Sequence, residues 1–504
     1  MALGLFRKKP YEMLMEEMKG ENRLRRILGP VGLTSLGVGA IIGTGIFVLT
    51  GVAAHDKAGP ALILSFVLSG TACVFAALCY AEFASMVPVA GSAYTYAYAT
   101  LGELFAWIIG WDLILEYAVA SATVAHGWSH YFQDFIGIIG VRIPDVVSRA
   151  PFDYNPATGL LSSTGTVLDL PAVIIAIIIT AILVKGIKES VGFNATMVGF
   201  KLVIVLMVII LGAFYINPAN WHPFAPYGFA GVAIFGKTIW GQTGMAGEPL
   251  GMIAGAAMIF FAYIGFDSVS THAEEAKNPS KDVPIGIISS LIICTVLYIL
   301  VSAVITGMVP YNKINIDAPV SNAFMQAGLP WAQFLISLGA LAGITSVLLV
   351  MMLSQPRVFL AMARDELVPK SIFGAVHPKF RTPWKSTILT GMFVMTLAAF
   401  LPLRILAELV NIGTLLAFVI VCTAVLIMRI THPDAKRPFR APFVPAVPIL
   451  GILFCLLLMF SLPSENWLRL FVWLVIGMCI YIGYGRRHSV MSKWRPDGKK
   501  IEKI

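Results

Sequence analysis

The sequence predicts an all-α membrane protein of twelve transmembrane helices, and three observations carry that prediction. Of 504 residues, 58% are hydrophobic and only 12% charged, about half the charged share of a soluble globular chain, and the mean hydropathy is +0.83. The apolar residues gather in repeated runs near the ~20 residues that a helix needs to cross ~30 Å of hydrocarbon. Charge, proline or polar loops bound these runs, and none is divided into short alternating strands.

Spans are expected near 32–54, 61–87, 93–133, 169–188, 192–217, 249–275, 283–309, 327–364, 384–402, 404–430, 443–462 and 464–485. The third and eighth exceed one crossing, so each should include a tilted or broken end or a short surface helix. The charged start, MALGLFRKKPYEMLMEEMKGENRLRRILG, lacks an apolar stretch followed by a small-residue cleavage site, and the first span itself is expected to direct insertion. Cys73, Cys79, Cys294, Cys422, Cys455 and Cys479 all lie in apolar stretches without a zinc-type CxxC pair, which marks them as packing residues.

Lysine and arginine give the orientation, because cytoplasmic loops carry the excess. With the N-terminus inside, 28 of the 36 basic residues fall on the cytoplasmic side and 7 on the other, with Lys201 left inside a span. Both termini are therefore expected in the cytoplasm, in a multi-pass protein of the cell membrane. The net charge of +9 follows from this rule and from a face near anionic lipid, so it lends no support to nucleic-acid binding.

The first span contains Gly37-Val-Gly-Ala-Ile-Ile-Gly-Thr-Gly-Ile-Phe47. Glycine costs about 1 kcal/mol relative to alanine inside a helix, so unwinding is expected at 43–45. Unwound backbone within a membrane persists only where protein or a water-filled cavity satisfies it. Free N–H groups at Gly43, Thr44 and Gly45, at the positive end of the second half-helix, would suit a carboxylate. The same glycines also suit close helix packing. The sixth span offers a second break in Phe260-Phe-Ala-Tyr-Ile-Gly-Phe-Asp267, where carbonyls from Phe261 to Gly265 would accept from an ammonium group. Breaks in the first and sixth spans point to two five-helix halves, 32–217 and 249–430, with substrate between them. Around these lie a cytoplasmic segment 1–31, an outer loop 218–248, two further helices in 431–485 and a basic cytoplasmic tail 486–504. A zwitterion fits the paired breaks, and an L-amino acid is the simplest one.

Ionisable residues inside spans cost at least ~2.5 kcal/mol at a helix centre and need a reason. Lys201 lies nine residues past Gly192, or ~13 Å along the helix. It either snorkels to the surface or ties the fifth span to the broken helix through an ammonium whose proton can be lost, which would couple protons to a gate. Asp112 and Glu116 are four apart and share a helical face. Glu116 would attract a cationic side chain or serve as a protonated structural carboxyl. His126 reads as a satisfied packing residue. Glu82, Glu103, Glu274, Glu275, Asp365 and Glu408 lie near helix ends and read as caps, gates or ion-pair partners. There is no GxxxxGK[ST], HExxH or GxSxG motif, no TVGYG filter and no arginine-repeat voltage sensor. Enzyme and ATP-driven readings lack their usual parts, and the expectation is a carrier without a cofactor; a receptor or channel is the alternative from another class.

Five stretches carry a family resemblance: RILGPVGLTSLGVGAIIGTGIFVLTG, VAGSAYTYAYATLGELFAWIIGWDLILEY, FDSVSTHAEEAKNPSKDVPIGI, AMARDELVPKSIFGAVHPKFRTPWKS and RPFRAPFVPAVPILG. Spread along nearly the whole chain, they resemble the amino acid–polyamine–organocation transporters, and GELFAWIIGWDLILEY looks most like the cationic amino acid transporter branch. The resemblance implies a leucine-transporter-like fold of two inverted five-helix repeats plus two helices, working by alternating access. It places the substrate carboxylate at Gly43, Thr44 and Gly45, and the amino group at carbonyls near Phe261, Ala262 and Ile264, with Phe261 also an outer gate. It matches Lys201 to a lysine that proton-coupled members carry in place of a sodium ion, and makes Ser346 a candidate wall of the pocket or ion site. The expected function is proton-coupled import of amino acids, cationic ones (arginine, lysine, ornithine) first, with a broad-range or neutral carrier or an exchanger of the same fold as the alternative. The coupling ion would be H+, and the sequence leaves room for a small accessory membrane subunit.

Overall fold

A computed structural model describes residues 7–9, 28–86, 92–155, 160–186, 190–235, 237–245, 247–380 and 382–493. Among them, eight helices are long and apolar enough to cross a membrane, and four shorter apolar helices accompany them. In chain order the helical segments that build the site and its frame begin with α1 (Pro30–Ile41), the helical turns α2 from 44 to 58, and α3 (Leu62–Met86). There follow α4 (Ser92–Thr100), α5 (Glu103–Ile138), α6 (Leu170–Lys185), α7 (Ser190–Ala213), α8 (Met252–Ile259) and the single turn α9 (Ser268–Thr271). The remainder are α10 (Pro279–Met308), α11 (Pro319–Gln326), α12 (Pro330–Arg364), α13 (Trp384–Phe400), α14 (Leu403–Thr431), α15 (Ala446–Phe460) and α16 (Ser464–Ile480).

The long third run divides as expected, because Gly102 (φ +101°) separates the short α4 from the 36-residue α5. The eighth differs. Its helix α12 is continuous over 35 residues, and the separate segment beside it is α11, which lies N-terminal to the expected start. The all-α expectation also needs amending for three small antiparallel hairpins: Phe152–Asn155 with Leu160–Ser163, Val232–Ile234 with Lys237–Trp240, and Gln242–Thr243 with Pro249–Leu250. All three lie in connecting loops, where unpaired strand edges can meet water; in hydrocarbon they could not.

The helix α5 is the central post. It packs along α12 and α14, while α10 packs along α1 and α3. Apolar faces of the peripheral helices stay uncovered, as at Val203 on α7 and Phe471 on α16, which is how lipid-facing helices look when lipid is their solvent. Five of the six cysteines are buried as expected; Cys479, on α16, is exposed on such a face.

Ion pairs collect at the two ends of the helices. At one end Lys9 pairs with Asp365 (2.7 Å), Arg357 with Glu275 (2.9 Å), and both Arg429 and Arg437 with Glu82 (2.7 and 3.2 Å). Arg7 donates to the Met491 carbonyl (2.7 Å), so the described parts of the two terminal segments meet at this same end. At the other end Arg404 bridges Asp56 and Glu408. Glu103 departs from the ion-pair expectation: its carboxylate accepts from Tyr98, Tyr481 and Ser489 hydroxyls. Of the other end carboxylates, the side chain of Glu274 lies outside the described residues.

Candidate functional site: two helix breaks that abut

The first helix does break. Ile41 ends α1, Ile42 turns to ψ 102°, and helical dihedrals resume at Thr44. The break falls at 42–43, one residue ahead of the expected 43–45, and Gly45–Leu49 then forms a π-helical turn. Long-range contacts explain the shift. Lys201, fully buried on α7, donates from Nζ to the Gly39 carbonyl (2.6 Å) and the Ile42 carbonyl (2.8 Å). Tyr298 on α10 lies with its hydroxyl 2.8 Å from the Ile41 carbonyl. Three carbonyls at the end of α1 thus find side-chain partners, which removes the electrostatic reason to continue the helix. On the other side of the gap, the first backbone N–H to find a helical acceptor among the described residues is that of Phe47, on Gly43 O (3.1 Å). The N–H groups before it open the second half-helix and point at the break.

The second break follows α8. Phe260–Tyr263 tightens to a 3-10 turn, Ile264 is extended (ψ 133°) and Gly265 sits at φ +121°. A Cβ on Gly265 would lie 2.9 Å from the Ala40 carbonyl oxygen, so only glycine allows the two segments this approach. A Cβ on Gly45 would overlap Ala262 Cα. The Tyr298 hydroxyl also lies 2.9 Å from the Ala262 carbonyl, so one phenol touches both breaks. Around them, Gly43 abuts Val347 and the side chain of Thr44 abuts Gly127 on α5. Ser346 is buried on α12 next to Val347, and Gly343 one turn earlier packs on the Lys201 stem.

A helical bundle with two abutting breaks, one ending in amides and the other in carbonyls, is the setting in which the comparisons with known proteins carry weight. The profile of the amino acid permease family matches residues 28–483. The chain is 47% identical over 490 residues to the methylthioribose transporter of Bacillus subtilis (strain 168), covering 97% of this chain and 100% of that protein. It is 48% identical over 491 residues to the branched-chain amino acid permease BcaP of the same organism, covering 97% and 99%. Cationic amino acid transporter 4, vacuolar, of Arabidopsis thaliana is 31% identical over 588 residues, with 94% of each chain covered. The chain belongs to the amino acid permease family.

The permease is thus a multi-pass membrane transporter and not an enzyme, of the superfamily that the five sequence stretches indicate. Its predicted site residues fall into two groups. Gly43, Thr44, Gly45, Phe261, Ala262 and Ile264 gather at the breaks, with Lys201 behind α1 and Ser346 on the flanking wall. Glu116 stands apart. Gly127 touches Thr44, and Glu116 lies eleven residues earlier on the same unbroken helix, roughly 16 Å away at 1.5 Å per residue. There it shares a buried cluster with Asp112 and Asp267, all three 1% exposed. Tyr117 donates to Asp267 Oδ2 (2.6 Å) and the Thr414 side chain meets the Glu116 carboxyl, while both carboxyl oxygens of Asp112 have no partner among the described residues. His126 is satisfied at both ring nitrogens, by Asp169 (2.8 Å) and the Leu401 carbonyl (2.6 Å).

Sequence reasoning missed three polar residues that hold the breaks. Tyr298 bridges them, Tyr131 donates to the Phe47 carbonyl (2.8 Å), and Asn411 donates to the Ala257 and Met258 carbonyls. Each is a polar group in an otherwise apolar helix, and the rule that intramembrane polar groups need partners could have flagged all three.

Proposed function

We propose that this permease imports an L-amino acid by proton-coupled alternating access, with the carboxylate on the amides of Gly43, Thr44 and Gly45 and the amino group on carbonyls of Phe261, Ala262 and Ile264. The carrying observation is the contact of Gly45 with Ala262, which sets the amide end of one break against the carbonyl end of the other. Phe261 would close the outer side. In this reading the chain makes twelve crossings, the breaks begin two inverted five-helix units, and the excess of basic residues holds both termini in the cytoplasm.

Lys201 supplies the coupling. Its ammonium makes charge-assisted bonds to two carbonyls of the inner half-helix, and such bonds are about twice as strong as neutral ones. A neutral amine keeps two N–H groups, so release of the proton weakens the tie without abolishing it, and α1 is freed to swing. Because Lys201 already occupies those carbonyls, no sodium requirement is expected.

For the side chain, an apolar neutral group is the better supported reading. Glu116 stands roughly three helical turns along α5 from the carboxylate break, clustered with Asp267 rather than with the amides at 43–45. A relative 48% identical is named a branched-chain amino acid permease. The cationic reading keeps one specific support, the three buried carboxyls of Asp112, Glu116 and Asp267, together with the cationic transporters among the relatives. Competition in proteoliposomes tests both: labelled leucine and labelled arginine uptake at two pH values against leucine, alanine, arginine, lysine and methylthioribose. Displacement of leucine by leucine and alanine, with arginine inert, is expected. Saturable arginine uptake that leucine fails to displace would restore the cationic reading, and methylthioribose as the sole competitor would remove the zwitterion from the site.

A further inference from the structure

Asn411 is fully buried on α14, and its Nδ2 donates to two consecutive backbone carbonyls of α8, Ala257 (2.9 Å) and Met258 (2.9 Å). A side-chain amide has donors only on nitrogen and acceptors only on oxygen, so two carbonyl partners fix its orientation. The reversed amide would set its own oxygen against both. Its Oδ1 has no hydrogen-bond partner among the described residues, an acceptor left idle so that the nitrogen can hold the helix.

Those two carbonyls are not arbitrary. In a continuing α-helix they would accept from the N–H groups of Phe261 and Ala262, four residues on. Here Ile259 is the last α-helical residue, Phe260–Tyr263 follows 3-10 geometry, and the Ile264 N–H bonds back to Phe261 (3.1 Å). The amide of Asn411 therefore takes the place of the acceptors' helical partners at the point where the helix type changes. Over four residues the rise changes from 1.5 to about 2.0 Å each, which displaces the following carbonyls by roughly 2 Å along the axis.

We propose that Asn411 is a positioning residue that sets the α-to-3-10 transition before the second break, and through it the places of the Phe261, Ala262 and Ile264 carbonyls that meet the substrate's amino group. The role in binding rests on the proposed function of that break; the role in helix type does not. Asn411 touches no substrate itself. It acts by holding two carbonyls out of the α-helical ladder so that the next ones are presented to the gap.

Asn411→Leu in the full-length protein keeps the branched shape and removes the donor. Hydrogen exchange across 257–264 is expected to slow, because the amides of Phe261 and Ala262 regain α-helical acceptors. A merely destabilising substitution would speed it. In proteoliposomes the KM for a transported amino acid is expected to rise about tenfold while the maximal rate stays within about threefold. Asn411→His retains one ring N–H donor and should give an intermediate KM, which supplies the test if the leucine variant does not fold. Unchanged or faster exchange in Asn411→Leu, or an unaltered KM in whichever variant folds, overturns the assignment. Wild-type protein that moves no amino acid at all overturns the transport reading instead, and exchange alone then decides the part played by Asn411.

Discussion

Gly45→Ala attacks the closest approach between the two breaks. The added Cβ would overlap Ala262 Cα, lie 2.5 Å from its Cβ and 3.1 Å from its backbone nitrogen. Carbon atoms rest at about 3.5–4.0 Å, so the two backbones must part by at least ~1 Å. Gly45 and Ala262 are both buried, and neither neighbour is the far end of a flexible side chain that could fold aside. Overpacking of this kind costs about 1–3 kcal/mol of stability, and a displacement near 1 Å between groups that grip one ligand costs about 100-fold in rate. The assay is initial-rate uptake of labelled amino acid into proteoliposomes, with thermal unfolding followed in parallel. Gly199→Ala is the control, since its Cβ would have nothing within 4 Å and an added methyl in α7 should be neutral or slightly stabilising. Uptake by Gly45→Ala within about threefold of wild type, at unchanged KM, would show that the contact has no part in binding and refute the reasoning.

Three further outcomes are expected. Lys201→Met should leave the protein folded but abolish the dependence of uptake on external pH; proton-stimulated uptake persisting in this variant removes Lys201 from the coupling. Gly265→Ala forces a Cβ against the Ala40 carbonyl at φ +121°, a strain of about 1–3 kcal/mol, and should cut uptake about tenfold or more, read in the same vesicles. Glu82→Ala leaves Arg429 and the nearly buried Arg437 without their carboxylate and frees the Ala441 N–H that it also accepts, so a loss of about 3 kcal/mol is expected in thermal unfolding, with little change in KM.

Much of the frame was legible because hydrocarbon imposes a strict grammar. A helix must be about twenty residues long and apolar, and the boundaries of α6, α7, α13 and α14 fall within a few residues of the expected runs. The breaks were legible from glycine and from the costly Asp267, and the second falls where it was expected, yet the first moved by a residue, since its carbonyl partners come from Lys201 and Tyr298, 159 and 257 residues away. Pairing at such separations leaves no trace in one sequence. The same limit explains Glu116. Its neighbour four residues earlier was visible, but its depth relative to the break depends on which point of α5 meets α2, and that register is fixed by the packing of Thr44 on Gly127.

The two breaks are not equivalent, and the difference bears on how a carrier can both hold and release its cargo. At the end of α1 the carbonyls of Gly39, Ile41 and Ile42 are occupied by an ammonium and a phenol, so that half-helix offers little to a ligand. At the start of α2 the amides are the open groups, and their partners must come from outside the backbone ladder. In the sixth span the carbonyls of Ala257 and Met258 are held by Asn411, and that of Ala262 is touched by Tyr298. What remains is open amide on one side and, on the other, carbonyls with a second lone pair to offer, framed by side chains from α7, α10 and α14. In the proposed mechanism those three helices fix the geometry of the gap, and motion of α1 against α7 loosens the grip while the carbonyls of the second break keep their places.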